Sequence, residues 1–284
     1  MPDEQLKTET RDPMENASGP QILESRSPVI RLLLIPFLVY CAWVLESFLL
    51  EGNNHLFLNP EPLGLAVYTL VGCVLTGMII PVLCIHKAFV TGAVNMFQIG
   101  FRSVRRTVLA CFLTGILGYA AVVIMNPFGA DKLAFAHAFI LLLPTAIASV
   151  MICWVLIGTH VQAFVRSGGA LISILAGVVV TSLLFGVASP AHGTVMQGQD
   201  TLFWSVCTGL MVSLFFFAVR DVYATVIVVA ESTVFTSAGS VSPLVLRNPT
   251  PELFASAILA GVALLGIHWY LSRHYATVMV PVKK

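Results

Sequence analysis

The feature that most constrains this chain is a succession of long apolar segments, each close to the length that crosses a lipid bilayer. A spanning helix needs roughly 20 apolar residues. Only 10% of the side chains are charged, against about 25% in a typical soluble protein. Inside lipid the backbone must satisfy its own hydrogen bonds, which favours helices. The sequence therefore predicts an all-α, polytopic integral membrane protein with eight transmembrane helices. The predicted spans are 30–50, 64–86, 107–126, 134–158, 169–189, 202–219, 222–240 and 253–272.

Positive charges are concentrated in alternate connecting segments, and this distribution predicts the orientation. With the N-terminus in the cytoplasm, thirteen of the 15 Lys and Arg residues fall on the cytoplasmic side. Only Lys132 and Arg247 fall on the opposite side. Such a bias follows the positive-inside rule. We therefore expect both termini in the cytoplasm, and a prokaryotic plasma membrane suits the bias.

Three regions differ from the predicted eight-helix domain, which occupies residues 28–276. Residues 1–27 are polar, and without a signal-peptide layout they are expected to form a disordered cytoplasmic tail. Residues 277–284 form a second, short cytoplasmic tail. The segment at about 88–106 combines aromatic residues with three arginines, which favours an amphipathic helix lying in the membrane interface. An ordinary basic loop is the alternative.

Two carboxylates lie inside predicted spans, where an ionisable group is costly and is a functional candidate by default. Glu46 is in the first span and Glu231 is midway along the seventh. In a functional interpretation they hold a proton or activate water, and His192 provides electrostatic support. In a structural interpretation each is a neutral acid hydrogen-bonded to a neighbouring helix. Glu51 and His55 follow the first span and are expected at the outer interface.

The sequence predicts neither a metal ion nor an organic cofactor. The six cysteines stand singly, and neither a CxxC pair nor an HExxH motif occurs. Acids and histidines near the outer face could in principle surround a metal, but they lack a tight ligand spacing. The net charge of +1 gives no reason to expect nucleic acid as a partner.

Several short stretches between residues 150 and 235 carry a family resemblance. Thr181-Ser182-Leu183-Leu184-Phe185-Gly186 is followed by Gly209-Leu210-Met211, by Arg220, and by an apolar segment that ends at Glu231. The chain is similar here to the CPBP family of intramembrane proteases (CAAX proteases and bacteriocin-processing proteins). Members of that family read S-L-L-F-G ahead of a histidine, then a G-L-rich helix, a basic turn and another histidine-bearing helix. The resemblance implies an eight-span fold.

The chain also departs from the motifs of that family. The E-E-x-x-x-R motif has no counterpart in Cys153–Gly158, which carries no acid. Ser189 stands at the histidine position of F-x-x-x-H, and His192 follows three residues later. Glu231 falls near the histidine of the last motif, and Phe235 falls near its Asn or Asp. The resemblance therefore implies catalytic machinery that is lost or rebuilt.

Three functions follow as hypotheses. The first is a non-catalytic scaffold, subunit or regulator of a membrane protein complex, which binds another integral membrane protein. The second is an intramembrane hydrolase or protease in which Glu231 or Glu46 acts with His192. The third is a proton-coupled small-solute transporter with Glu46 and Glu231 as carriers, although the sequence lacks an evident repeat or broken-helix pair.

Overall fold

A computed structural model describes residues 26–52, 56–57, 61–90, 94, 96–125, 132–192, 201–237 and 249–276. Helices form in each of the eight predicted apolar segments, as far as the structure describes them, and the described residues contain no strand. Residues 1–25 of the predicted tail 1–27 lie outside the described residues, whereas Arg26 and Ser27 begin the first helix. The predicted tail 277–284, His55 and residues 238–248 also lie outside the described residues.

The helices are named α1 to α9 in chain order, and some of them contain a π-helical stretch. They are α1 (Arg26–Ser47, then a π turn Phe48–Gly52), α2 (Pro62–Val67, then π-helical Tyr68–Ile79 and α-helical Ile80–Val90), α3 (Met96–Ile99), α4 (Val104–Met125), α5 (Lys132–Ser149, then π-helical Val150–Gly158 and α-helical Thr159–Phe164), α6 (Ala170–Ala188, then a 3-10 turn Ser189–His192), α7 (Thr201–Val219), α8 (Val222–Ser237) and α9 (Pro251–Ala276).

Seven helices in the described part of the chain are long and apolar enough to cross a membrane. Large apolar side chains such as Leu38, Leu113 and Ile258 are more than half exposed on the outside of the bundle. Soluble proteins rarely expose such surfaces, whereas lipid solvates them, so the chain is an all-α membrane protein. The predicted seventh span corresponds to α8, whose apolar part is shorter than the others. The count of eight spans stays a prediction.

Helix α5 is the central element of the bundle. In its most apolar stretch 89% of the residues are buried, against 17% for the stretch that includes α4. Helices α2, α8 and α9 pack against α5, and α4 packs at the periphery against α8. A helix that is apolar on all sides is expected in such a central position.

Small residues bring the helices close together. A Cβ atom at Gly77 would lie 2.5 Å from the Cβ of Ala148 on α5, and one at Gly186 would collide with Val206 of α7. Close backbone approach through small residues is the usual way in which membrane helices associate, because apolar side chains gain little when they leave lipid.

A buried hydroxyl, Ser213 on α7, connects three helices. The Trp154 indole N–H of α5 donates to Ser213 Oγ at 2.9 Å. The Thr181 and Ser182 hydroxyls of α6 lie 2.8 and 3.1 Å from the same oxygen. This network fixes the packing of α5, α6 and α7 against one another.

The predicted interfacial segment at 88–106 is only partly described. Its helical part consists of the end of α2, the four-residue α3 and the start of α4. Ile99 and Phe101 are buried within the protein, and the Arg102 guanidinium lies 3.7 Å from the centre of the exposed Phe97 ring. Placement of this segment in the membrane interface stays a prediction.

Candidate functional site

Glu51 lies in the π turn that ends the first span, and its side chain is completely buried. The sequence predicts it at the outer interface, whereas the structure turns it into the bundle. A π turn has more residues per turn than an α-helix, so it changes the direction in which the following side chains point. A buried carboxylate is costly unless hydrogen bonds satisfy it. The partners of Glu51 are therefore the centre of the site.

One oxygen of Glu51 receives two hydrogen bonds from distant helices. Tyr68 of α2 donates its hydroxyl to Glu51 Oε2 at 2.5 Å, and His192 Nδ1 lies 2.6 Å from the same oxygen. The Tyr68 hydroxyl also lies 2.9 Å from Thr145 Oγ1 of α5. Since the one proton of Tyr68 goes to Glu51, Thr145 donates to Tyr68. Helices α2 and α6 thus contact the carboxylate of α1 directly, and α5 contacts it through Tyr68.

His192 ends the 3-10 turn after α6 and is 6% exposed. Because its Nδ1 faces a carboxylate, Nδ1 carries the proton, and in the neutral imidazole Nε2 holds the lone pair. The Trp43 ring packs against the imidazole with centroids 5.3 Å apart and an angle of 54°. A carboxylate that orients an imidazole in this way is the arrangement that general acid–base catalysis uses.

A small cavity of about 30 Å³ adjoins this cluster, which is room for a water molecule. Glu51 Oε1 and Trp43 Nε1, on residues that line it, are among the buried polar atoms that have no hydrogen-bond partner in the described part of the chain. The first is an acceptor and the second is a donor. A water molecule that accepts from the indole N–H and donates to the carboxylate would satisfy both atoms.

The rest of the cavity wall is mostly apolar and carries a few hydroxyl groups. It consists of the apolar side chains and hydroxyls of Leu142, Thr145, Ala146, Ser149, Phe185, Ala188, Ser189, Val229 and Thr233. The low polarity of such surroundings strengthens every charge interaction within them. The site can therefore position a water molecule, remove its proton and return that proton to another group.

The two predicted acids lie elsewhere. Glu46 is half-buried on α1, and its Oε2 is buried without a partner among the described residues. Glu231 is half-buried on α8, and its carboxyl group lies directly against Gly118 of α4, where a Cβ atom would overlap with it. In the described residues no hydrogen bond or ion pair connects His192 with Glu46 or Glu231. The structure gives His192 a different acid, Glu51.

The geometry of α8 explains why Glu231 does not reach the cavity. Val229 and Thr233 of α8 line the cavity. Glu231 is two residues from each of them, about 200° around the helix at 3.6 residues per turn. Its side chain therefore points from the opposite face of α8 towards α4.

A second polar cluster lies at the other end of the bundle, between α7 and α8. The buried Arg220 donates to the carbonyl of Gln98 at 3.2 Å and to Gln162 Oε1 at 3.0 Å. Burial lowers the pKa of Arg220 to about 10. Asp221 accepts from the Thr107 hydroxyl at 2.6 Å and from the backbone N–H of residue 224 at 3.0 Å. Asp221 caps α8, so this cluster is explained by folding.

The sequence predicts His192 as a site residue. It does not predict the other residues of the cluster, which are Glu51, Tyr68, Thr145 and Trp43. A weak signal was available, because Tyr68 and Thr145 are polar residues within apolar spans. Residues of that kind are common in membrane helices as packing contacts, so the signal becomes specific only when the helices are brought together.

Comparison with protein-family profiles, with curated proteins and with solved structures yields no significant match. The assignment of function therefore depends on the geometry of the site.

Proposed function

We propose that this protein is an intramembrane hydrolase in which Glu51 and His192 activate a water molecule. The observation that carries the proposal is the pair of buried, unpartnered atoms, Glu51 Oε1 and Trp43 Nε1, on residues that line a cavity of water size. Their hydrogen-bonding properties are complementary. An acceptor and a donor around a water-sized space position the water as a nucleophile.

The chemistry follows from the hydrogen bonds. Glu51 Oε1 accepts a proton from water as the water oxygen bonds to an acyl carbon. His192 and Tyr68 hold the other carboxylate oxygen, Oε2, in place. The bond from the acyl carbon to the leaving oxygen or nitrogen then breaks, and the proton passes from Glu51 to the leaving group. The products are a carboxylic acid and an alcohol or amine, with one water consumed.

The resemblance to the CPBP family supports this proposal, because proteases of that family combine an acid with histidines on a membrane scaffold. The segment Cys153–Gly158, which stands where the family has its E-E-x-x-x-R motif, is buried and apolar. In our proposal Glu51 supplies the acid. His192 takes the role of the family histidine whose position Ser189 occupies here. If the N-terminus lies in the cytoplasm, as the positive-inside bias predicts, the ends of α1 and α6 would lie in the outer half of the membrane.

The test uses water labelled with heavy oxygen, because hydrolysis of any acyl compound leaves one labelled oxygen in the new carboxylate. The purified full chain is incubated in labelled water with a detergent extract of membranes from the cells in which the protein was produced. Mass spectrometry then searches both free fatty acids and new peptide C-termini for the label. We expect labelled acids with the wild-type protein and a fall of roughly 100-fold or more with Glu51→Gln, the usual size of general-base catalysis.

The matched control is Glu61→Gln, which neutralises an exposed acid near the start of α2. We expect this variant to retain the wild-type rate. Equal rates for Glu51→Gln and wild type, or no labelled acid above that of protein-free extract, would contradict the proposal.

A second candidate function is a non-catalytic scaffold or subunit that binds another integral membrane protein. The size of the cavity favours it, because about 30 Å³ admits water but not a substrate. The Glu51–His192 pair would then stabilise packing only. Purification in mild detergent followed by mass spectrometry tests this: a stoichiometric membrane protein partner, with retained binding in Glu51→Gln, is expected for a scaffold. A chain that purifies alone contradicts it.

A further inference from the structure

An apolar groove of about 600 Å³ runs along the outside of the bundle between α1 and the end of α6. This volume lies within the roughly 300–1,000 Å³ of small-molecule sites. On α1 the groove extends from Phe37 to Phe48, which is roughly 16 Å at 1.5 Å per residue. That length is about half of a ~30 Å hydrocarbon core, which is the depth of one leaflet.

The groove and the water-sized cavity share two wall segments, α1 and the end of α6. At the end of α6 and in its 3-10 turn, Val187, Pro190 and Ala191 line the groove, whereas Ser189 and His192 line the cavity. Residues of one short segment therefore line both spaces. On α1 the arrangement repeats, since the neighbours Val44 and Trp43 line the groove and the cavity respectively.

The chemistry of the groove favours a hydrocarbon chain over a peptide. Its lining is almost entirely apolar, and the hydroxyl of Tyr40 already donates to the carbonyl of Leu184 at 2.6 Å. An extended peptide in this groove would leave backbone N–H and C=O groups without hydrogen-bond partners in lipid, which is strongly unfavourable. An acyl chain has no such groups.

The position of the site agrees with such an occupant. Glu51 follows Phe48 by three residues and lies beyond one end of the groove, at the end of the first span. An acyl chain that fills the groove from the middle of the bilayer would bring its ester group to this end. There the ester linkages of a leaflet meet the interface.

We infer that the groove holds the acyl chain of a membrane lipid and that the substrate of the proposed hydrolase is its ester bond. This inference rests on the proposed function. The activated water forms a bond to the ester carbonyl carbon, the carbon–oxygen bond to the lipid alcohol breaks, and the proton held by Glu51 passes to the alcohol oxygen. A free fatty acid and a lysolipid leave the site.

The experiment places the full chain in vesicles of palmitoyl-oleoyl phosphatidylethanolamine and phosphatidylglycerol in heavy-oxygen water. We expect labelled free fatty acid. Val187→Trp fills part of the groove. It is expected to lower the rate of fatty acid release roughly tenfold, because about two methylene groups of the bound acyl chain would lose their burial. The matched control is Val179→Trp on the same helix, because Val179 is 53% exposed, against 55% for Val187, and does not line the groove. It is expected to retain the wild-type rate.

A second measurement is independent of turnover. A phosphatidylcholine with a photoreactive acyl chain is irradiated in vesicles that contain the Glu51→Gln variant, and the adducts are mapped. Adducts concentrated on Val44 and Val187 support the inference. Adducts spread evenly over the exposed apolar surface, including Val179, overturn it.

The two proposals fail in different ways. Labelled peptide C-termini with no labelled fatty acid would leave the hydrolase standing and overturn the lipid as its substrate. Labelled fatty acid released equally by Val187→Trp and Val179→Trp would overturn the groove as the binding site. No labelled acid of either kind would overturn the hydrolase itself, and the acyl substrate with it.

Discussion

Removal of the Tyr68 hydroxyl tests whether the Glu51 cluster stabilises the protein as its geometry indicates. Tyr68→Phe keeps the ring and deletes one oxygen, and the site is only 1% exposed. The change removes the 2.5 Å hydrogen bond to Glu51 Oε2 and the 2.9 Å contact with Thr145 Oγ1. His192 would then be the remaining donor that the structure gives to this oxygen.

The expected loss is set by the charge of the acceptor. A hydrogen bond to a charged group contributes about 1.5–3 kcal/mol, against about 0.5–1.5 kcal/mol for a neutral pair. We therefore expect Tyr68→Phe to lower the free energy of unfolding by about 2 kcal/mol. At roughly 2–4 °C per kcal/mol for a chain of this size, the Tm falls by about 4–8 °C.

The assay is thermal unfolding in mild detergent, followed by tryptophan fluorescence at one fixed scan rate, because unfolding of such proteins is often irreversible. The matched control is Tyr223→Phe. The Tyr223 hydroxyl lies 3.0 Å from His268 Nδ1 and is only partly buried. This variant is expected to lose less than about 1.5 kcal/mol.

Two results would refute the reasoning. One is a Tm for Tyr68→Phe that falls no further than that of Tyr223→Phe. The other is additivity in a double-mutant cycle of Tyr68→Phe with Glu51→Gln, since residues in direct contact are expected to show a coupling energy of about 0.5–3 kcal/mol.

Two further variants test the packing of the bundle by the same thermal assay. Gly77→Ala is expected to cost about 1–3 kcal/mol, because its Cβ would lie 2.5 Å from the Cβ of Ala148, which has no rotatable bond to move it away. Gly115→Ala, which meets nothing within 4 Å, should be neutral or stabilising, and equal effects would refute the close packing of α2 against α5. Ser213→Ala leaves the buried Trp154 indole N–H without its acceptor and should cost about 1–3 kcal/mol; a Tm unchanged from wild type would contradict the network.

The helices could be predicted from the sequence because each depends on local properties. A run of apolar residues that must satisfy its own backbone hydrogen bonds becomes a helix wherever it packs, and a helix forms in the described part of each of the eight predicted segments. The differences lie at the ends and in the winding. The first span continues as a π turn to Gly52, and apolar periodicity does not reveal that turn.

The sequence by itself determined that the chain is an all-α membrane protein and that His192 is a candidate for chemistry. Only the tertiary structure decided which acid His192 meets. Glu231 and Glu46 are the more conspicuous acids, since they lie within apolar spans, yet the hydrogen bond joins His192 to Glu51, 141 residues away. Side-chain spacing relates residues on one helix face, whereas a contact at this separation depends on how the helices pack and on where a π turn directs a side chain.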